Sequence, residues 1–171
     1  FLCVTRARRF GKSVAVKMLN AYYDKSCDSH ELFDGLAICK DKDFEKHLNH
    51  YPVLYLDMTD FVTKYGKNER IVEYIKHDVC EELLSLYDCV TMKTNDDLMD
   101  LLVSIVDHTG EKFICLIDEW DALCREGQEK QMDEYVDLLR RLFKGSMTEY
   151  VFACCYMTGI LPIKRYNTQS A

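Results

Sequence analysis

The chain has few of the residues that break secondary structure, with seven glycines and two prolines in 171 residues. No Pro-, Gly- or Ser-rich stretch divides it, and it contains neither an internal repeat nor a low-complexity run. No apolar run approaches the roughly 18 residues of a membrane span, and the first residues lack the charged-then-apolar pattern of a signal peptide. We therefore expect one globular domain and no membrane partner.

The cysteines lack the spacing of a metal site or a disulfide framework. There are nine of them, an odd number, and no two form a C-x-x-C pair, which argues against a zinc ribbon. Most lie in apolar runs such as residues 113–117 and 151–155. We expect buried, reduced thiols and a cytoplasmic location.

An excess of positive charge is also missing, because the formal net charge is -7. Non-specific binding of nucleic acid depends on Lys and Arg that neutralise phosphates, so this chain alone is not expected to bind a duplex. A local basic stretch nevertheless contains Arg6, Arg8, Arg9 and Lys12. Its position beside a glycine favours a small anionic ligand.

The basic stretch connects a predicted strand to a predicted helix. Residues 1–5 are apolar, and residues 13–23 have apolar side chains at helical spacing. Between them, Gly11 and the two residues after it match the end of the phosphate-loop pattern G-x-x-x-x-G-K-[ST], whereas Arg6 stands where the first glycine is usual. A basic surface turn that happens to contain Gly-Lys-Ser is the alternative.

In a phosphate loop, the backbone N–H groups and the positive end of the helix surround the phosphate. Lys12 would reach the β- and γ-phosphate oxygens, and the Ser13 hydroxyl would ligate Mg²⁺. Gly11 would let the backbone approach the phosphate without a Cβ in the way. The sequence supplies the strand-loop-helix context that this chemistry needs.

A second group of candidate residues follows an unbroken apolar run at residues 112–117. Such a run indicates a strand covered on both faces. Asp118 and Glu119 end it, and they fit a metal-binding acid and an acid that orients the attacking water; a helix-capping turn is the alternative. Thr158 ends a later strand, where it either senses the γ-phosphate or closes a simple turn.

Two neighbours of these acids have less specific interpretations. Trp120 is a packing residue or a lid over a base, and packing is favoured. Asp121 supports the metal or caps a helix, and capping is favoured.

The remaining pattern alternates strands with helices, which predicts a parallel sheet with helices on both faces. Strands are predicted at 1–5, 53–57, 112–119 and 150–157, and helices at 13–23, 41–49, 69–87, from a cap at Thr94 or Asn95 to Gly110, and from about 132 to Gly145.

Five blocks of the sequence, in order, resemble the bacterial AAA-ATPase-like family. They are TRARRFGKS, LFDGLAI, YPVLYLD, LIDEWD and TGILPIKRYNTQSA. Members of that family typically open with T-R-P-R-R-F-G-K-[ST] and often carry a C-terminal PD-(D/E)XK nuclease-like domain. The family therefore has Arg at position 6, while Ala7 departs from its usual Pro and loosens the loop by removing a fixed φ.

The resemblance implies roles for individual residues. Glu119, Lys12 and Thr158 would be catalytic; Arg8, Arg9, Phe10, Gly11, Lys12 and Ser13 would bind the nucleotide; and Ser13 and Asp118 would hold the metal.

The resemblance also implies a fold and an activity. Residues 1–171 would be one nucleotide-binding domain, truncated at both ends, with the three-layer α/β P-loop fold of the additional-strand class and sheet order 5-1-4-3-2. Strand 5 would lie beyond the chain and leave strand 1 as an exposed apolar edge. The domain would bind ATP and Mg²⁺ and hydrolyse ATP to drive a conformational change in an attached domain.

Three questions stay open at this point. A non-hydrolysing nucleotide-sensing scaffold and a P-loop small-molecule kinase are alternatives to the ATPase. Nucleic acid is expected to bind only through the attached nuclease-like domain. Homo-oligomer formation is neither predicted nor excluded.

Overall fold

The computed structural model describes residues 1–66, 68–93, 97–126 and 129–161. Within these ranges the chain alternates strands with helices, as the sequence predicts. The strands are β1 (Leu2–Thr5), β2 (Val53–Asp57), β3 (Phe113–Asp118) and β4 (Phe152–Gly159). The helices are α1 (Lys12–Tyr23), α2 (Phe44–His47), α3 (Met58–Tyr65), α4 (Ile71–Leu86), α5 (Leu98–Thr109), α6 (Ala122–Glu126), α7 (Glu129–Lys144) and α8 (Thr148–Val151), with 3₁₀ turns at His30–Phe33 and Ala37–Lys40.

The strands form one parallel sheet in the order β1-β4-β3-β2. Every residue of β3 is buried, which fits the unbroken apolar run that predicted a strand covered on both faces. β1 lies at one end of the described sheet, and its Leu2 is 57% exposed. The fold class is therefore α/β, and the position of a fifth strand stays a prediction.

The first of two compact units contains the sheet and α1. Among the described residues it comprises 1–58, 114–122 and 154–161. Val16 of α1 is fully buried against Ile114 and Leu116 of β3. This contact fixes one face of the sheet as the α1 face, because alternate residues of a strand point to opposite faces.

The second compact unit is helical and comprises residues 59–113 and 123–153. Its helix α4 packs against α5 and α7. The apolar residues of α4 recur every fourth position and are buried, which is the stripe expected of an amphipathic helix. None of the helices in the described residues combines the length and the apolar character that crossing a bilayer requires.

The ends of α5 show which capping prediction was right. The predicted caps Thr94 and Asn95 lie outside the described residues, and the N-cap is Asp97. Its carboxylate accepts hydrogen bonds from the backbone N–H groups of Met99 and Asp100, and the Asp97 N–H donates one to the Asp100 carboxylate, which forms a capping box. Gly110 ends the helix at φ 71°, as predicted, since glycine adopts this left-handed conformation at little cost.

Two other predicted boundaries were wrong. The helix expected at 41–49 is only the single turn Phe44–His47, preceded by a turn at Asp41. The strand expected from Tyr150 begins at Phe152, because residues 148–151 form the short helix α8.

The cysteines are free, but the expectation that they are buried holds for only a minority. Apolar neighbours in sequence did not predict burial, since Cys3 in β1 and Cys154 in β4 are exposed although both lie within strands. Cys80, Cys115 and Cys155 are buried, Cys39 and Cys124 are half-buried, and Cys3, Cys27, Cys89 and Cys154 are exposed.

Candidate active site

The turn from β1 into α1 leaves the first N–H groups of the helix without a side-chain cap. Gly11 is the N-cap residue, at φ 76°, and the first turn contains no acidic residue. Arg9 also has a left-handed φ of 68°, and the backbone N–H of Arg6 donates to Gly159 at the end of β4. An uncapped helix N-terminus of this kind is suited to an anion.

The side chains of this turn divide into an outward and an inward group. Those of Arg8, Arg9 and Phe10 are exposed. Lys12 instead is buried, with its Nζ 3.3 Å from Glu119 Oε1. The two side chains are 4% and 19% exposed, so this ion pair is largely shielded from solvent.

Asp118, at the tip of β3, is the most buried of the predicted site residues, with 1% exposure. Its Oδ1 accepts the hydroxyl proton of Thr158 at 2.5 Å and the backbone N–H of Glu119 at 3.0 Å. No group among the described residues donates a hydrogen bond to its Oδ2. The half-buried Ser13 hydroxyl likewise makes no hydrogen bond within the described part of the chain.

Glu119 adopts a left-handed backbone conformation, with φ 50°. Such a conformation costs a non-glycine residue roughly 1–3 kcal/mol and persists only where the surroundings fix it. Hydrogen bonds fix it here: the Glu119 N–H is held by Asp118, and the N–H of Trp120 donates to the Thr158 carbonyl at 2.8 Å. The chain therefore turns sharply after β3, and Glu119 meets Lys12.

Trp120 and Asp121 have structural contacts around the same turn. Trp120 is 1% exposed, which supports the packing interpretation, and a Cβ on Gly159 would lie 2.5 Å from its ring. Asp121 precedes α6, but its Oδ2 accepts the backbone N–H groups of Ile160 and Leu161 at 3.1 and 2.9 Å. Its carboxylate thus anchors the turn after β4, a role that the sequence analysis missed.

One further acid at this edge was not among the sequence candidates. Asp57 ends β2 and pairs in register with Asp118 at the end of β3. The sequence did contain a signal for it, because YPVLYLD ends in an acid after an apolar strand, as LID does. What the sequence could not supply is that β2 and β3 are neighbours.

The structure thus brings four of the predicted residues together, namely Lys12, Asp118, Glu119 and Thr158. Among the described residues no three His, Cys, Asp or Glu side chains form a cluster that could hold a metal. A metal here would therefore need oxygen ligands from water and substrate as well, as Mg²⁺ commonly has.

Comparison with known proteins gives one match. A model of the AAA-ATPase-like family, described as a predicted AAA-ATPase, matches residues 1–168. No curated protein and no solved structure matches the chain.

Proposed function

The chain belongs to the AAA-ATPase-like family, and we propose that it binds ATP where β1 turns into α1 and hydrolyses it with Mg²⁺. The observation that carries this proposal is the Lys12–Glu119 ion pair beside the Asp118–Thr158 hydrogen bond. A buried cation, two acids and an uncapped helix N-terminus at one sheet edge are the groups that phosphoryl transfer from a nucleotide requires.

Phosphate binding is assigned to α1 and Lys12. The uncapped N–H groups of α1 would donate to phosphate oxygens, and the helix dipole would favour their charge. Lys12 would exchange its contact with Glu119 for the β- and γ-phosphates. Arg8 and Arg9, which are exposed on the same turn, would add positive charge at its outer side.

Ser13 and Asp118 are the residues that would hold Mg²⁺. Both fit the ion. The Ser13 hydroxyl and Asp118 Oδ2 make no hydrogen bond within the described residues, and both supply the oxygen ligands that Mg²⁺ prefers. Thr158 would keep Asp118 oriented through its hydroxyl. The ion, when bound, would neutralise charge on the phosphate oxygens.

Glu119 would orient the attacking water and accept its proton. In the structure its carboxylate is engaged by Lys12 at 3.3 Å, so it is not available for this role until the ammonium moves to phosphate. Nucleotide binding would therefore release the group that hydrolysis needs.

The wider context is also part of the proposal. A fifth strand against β1 would complete the order 5-1-4-3-2, and hydrolysis would drive a conformational change in an attached, nuclease-like domain within the cytoplasm. The coupling is tested in a protein that carries such a domain, because nucleotide should then change the protease sensitivity of that domain.

The test of the proposed function is calorimetric titration with Mg²⁺-ATP together with a phosphate-release assay without any added acceptor. Lys12→Ala should weaken binding at least tenfold, whereas Lys17→Ala, an exposed lysine of the same helix, should not. Steady phosphate release supports the ATPase over a kinase. Binding without release in wild type would instead identify a nucleotide-sensing scaffold.

A further inference from the structure

Asp121 is a buried carboxylate that the proposed reaction does not use. It is 0% exposed, and its Oδ2 accepts the backbone N–H groups of Ile160 and Leu161 at 3.1 and 2.9 Å. Hydrogen bonds to a carboxylate are roughly twice as strong as those between neutral groups. Asp121 therefore ties the turn after β3 firmly to the turn after β4.

Glu119, two residues before Asp121, lies between anchors that all lead to β4 or to the turn after it. Before it, Asp118 accepts the hydroxyl proton of Thr158. After it, the Trp120 N–H donates to the Thr158 carbonyl at 2.8 Å, and the Asp121 carboxylate follows. The backbone is therefore held on both sides of Glu119.

The close approach of the two turns depends on Gly159. A Cβ at this position would lie 2.5 Å from the Trp120 ring and 2.8 Å from Asp121 Oδ1, well inside the usual contact distance of about 3.5–4.0 Å between carbon atoms. The missing side chain lets the indole and the carboxylate both pack against the end of β4. Asp121 therefore belongs to a tight contact between the two turns.

This contact stabilises a backbone conformation that Glu119 would not adopt by itself. Its φ is 50°, and such a φ costs a non-glycine residue roughly 1–3 kcal/mol, so that it persists only where the surroundings fix it. In this conformation Glu119 Oε1 lies 3.3 Å from Lys12 Nζ, beside the proposed phosphate site. Without the Asp121 anchor, the backbone at Glu119 would relax towards a negative φ and carry the carboxylate away from this site.

We propose that Asp121 is a positioning residue for hydrolysis, which keeps Glu119 in the left-handed conformation from which its carboxylate reaches the attacking water. This inference rests on the proposed function. Asp121 acts through Glu119, so its loss should slow turnover without weakening nucleotide binding. Binding should be unchanged or tighter, because a displaced Glu119 no longer competes with phosphate for Lys12.

The test compares turnover with affinity. Steady phosphate release at saturating Mg²⁺-ATP gives kcat, expressed per nucleotide site counted by calorimetric titration, and a non-hydrolysable ATP analogue gives Kd. Asp121→Ala should lower kcat about 10- to 100-fold, since a misplacement of about 1 Å can cost about 100-fold in rate, and it should not raise Kd. Asp121→Asn retains an acceptor oxygen and should recover part of kcat.

The single tryptophan of the chain, Trp120, gives a second readout of the same turn. Its indole is 1% exposed, so its fluorescence emission should shift to longer wavelength in Asp121→Ala as the turn opens to solvent. Asp121→Asn should keep most of the wild-type emission. An unchanged emission maximum in folded Asp121→Ala would mean that the turn has not moved, and would overturn the inference.

Ser29→Ala is the matched control for a loss of stability alone. Ser29 is 3% exposed and belongs to the same compact unit, and its hydroxyl donates to the Ala21 carbonyl at the far end of α1 from Lys12. The variant should lower the free energy of unfolding and leave both kcat and the Trp120 emission unchanged.

Three kinetic results would overturn this inference and leave the proposed function standing. They are wild-type kcat in folded Asp121→Ala, weaker binding of the analogue by that variant, and an equal fall of kcat in Ser29→Ala. If Asp121→Ala loses its folded circular dichroism spectrum, Asp121→Ser, whose shorter side chain cannot span the same distance, is judged by the same criteria.

A result in the wild-type protein would count against the proposed function itself. If wild type binds the analogue but releases no phosphate from ATP, it is a scaffold with no hydrolysis for Asp121 to support. If wild type does not bind the analogue, or if Lys12→Ala binds it as well as wild type does, the phosphate site is wrong, and the role of Asp121 falls with it.

Discussion

Replacement of Glu119 by Gln should tighten nucleotide binding while it abolishes hydrolysis. In the wild-type protein, Glu119 Oε1 lies 3.3 Å from the Lys12 ammonium, so a phosphate has to displace this carboxylate before it can use Lys12. Gln keeps the shape and removes the charge. The variant therefore begins without the competing ion pair.

The magnitude follows from the distance and the burial. At an effective dielectric constant of about 20, charges 3.3 Å apart attract each other by about 5 kcal/mol before the cost of desolvation is subtracted. Net values for hydrogen bonds that involve charged groups are about 1.5–3 kcal/mol, and Gln retains a weaker contact with Lys12. The free energy of nucleotide binding should therefore become more favourable by about 1–2 kcal/mol in Glu119→Gln, which is about 5- to 30-fold in Kd.

The assay is calorimetric titration of wild type and Glu119→Gln with a non-hydrolysable ATP analogue at one ionic strength. Glu31→Gln is the control, because it removes the same charge from an exposed residue of the same compact unit. It should change Kd less than twofold. Equal or weaker binding by folded Glu119→Gln would refute the argument that the ion pair competes with phosphate.

Three further predictions concern stability. Thr158→Val should lower the free energy of unfolding by about 1–3 kcal/mol, measured in urea, because the buried Asp118 loses its hydroxyl donor. Gly159→Ala should cost about 1–3 kcal/mol or more by the same measurement, because its Cβ would overlap the buried indole ring. A hydrogen bond with Cys155 and full burial raise the pKa of the Cys115 thiol. The unfolded chain therefore loses this proton first, so the free energy of unfolding should fall as pH rises above the ordinary thiol pKa of about 8.5, and Cys115→Ala should make this decline shallower.

Each of these has its own control. Thr158→Ser keeps the hydroxyl and should stay within about 1 kcal/mol of wild type; equal loss in both variants would mean that the hydrogen bond is not the cause. Gly35 also has a left-handed φ, but a Cβ there would meet open space, so Gly35→Ala should lower the free energy of unfolding by only about 1 kcal/mol. A greater loss than in Gly159→Ala would contradict the overlap of the Gly159 Cβ with the indole ring. Cys27→Ala removes an exposed thiol and should leave the pH slope intact, whereas an intact slope in Cys115→Ala would assign the decline to other groups.

Several elements could be predicted because the information is local. The sequence predicted that β2 ends at Asp57, which is where it ends. It predicted that β3 ends at residue 119, one residue after its actual end at Asp118. The end of α5 at Gly110 could also be predicted, because the need for a left-handed residue at a helix end depends only on the local backbone. The short helix before β4 was missed, because its last two residues, Tyr150 and Val151, continue the apolar run of the strand that follows.

The sequence alone determined the candidate chemistry: a lysine and a serine at the start of a helix, and two acids at the end of a buried strand. Only the tertiary structure decided that Lys12 contacts Glu119, that Thr158 holds Asp118, and that Asp57 lies beside it. These contacts join residues about 40 to 107 positions apart. They depend on which strands are neighbours and in what register, and no local pattern of side chains specifies either.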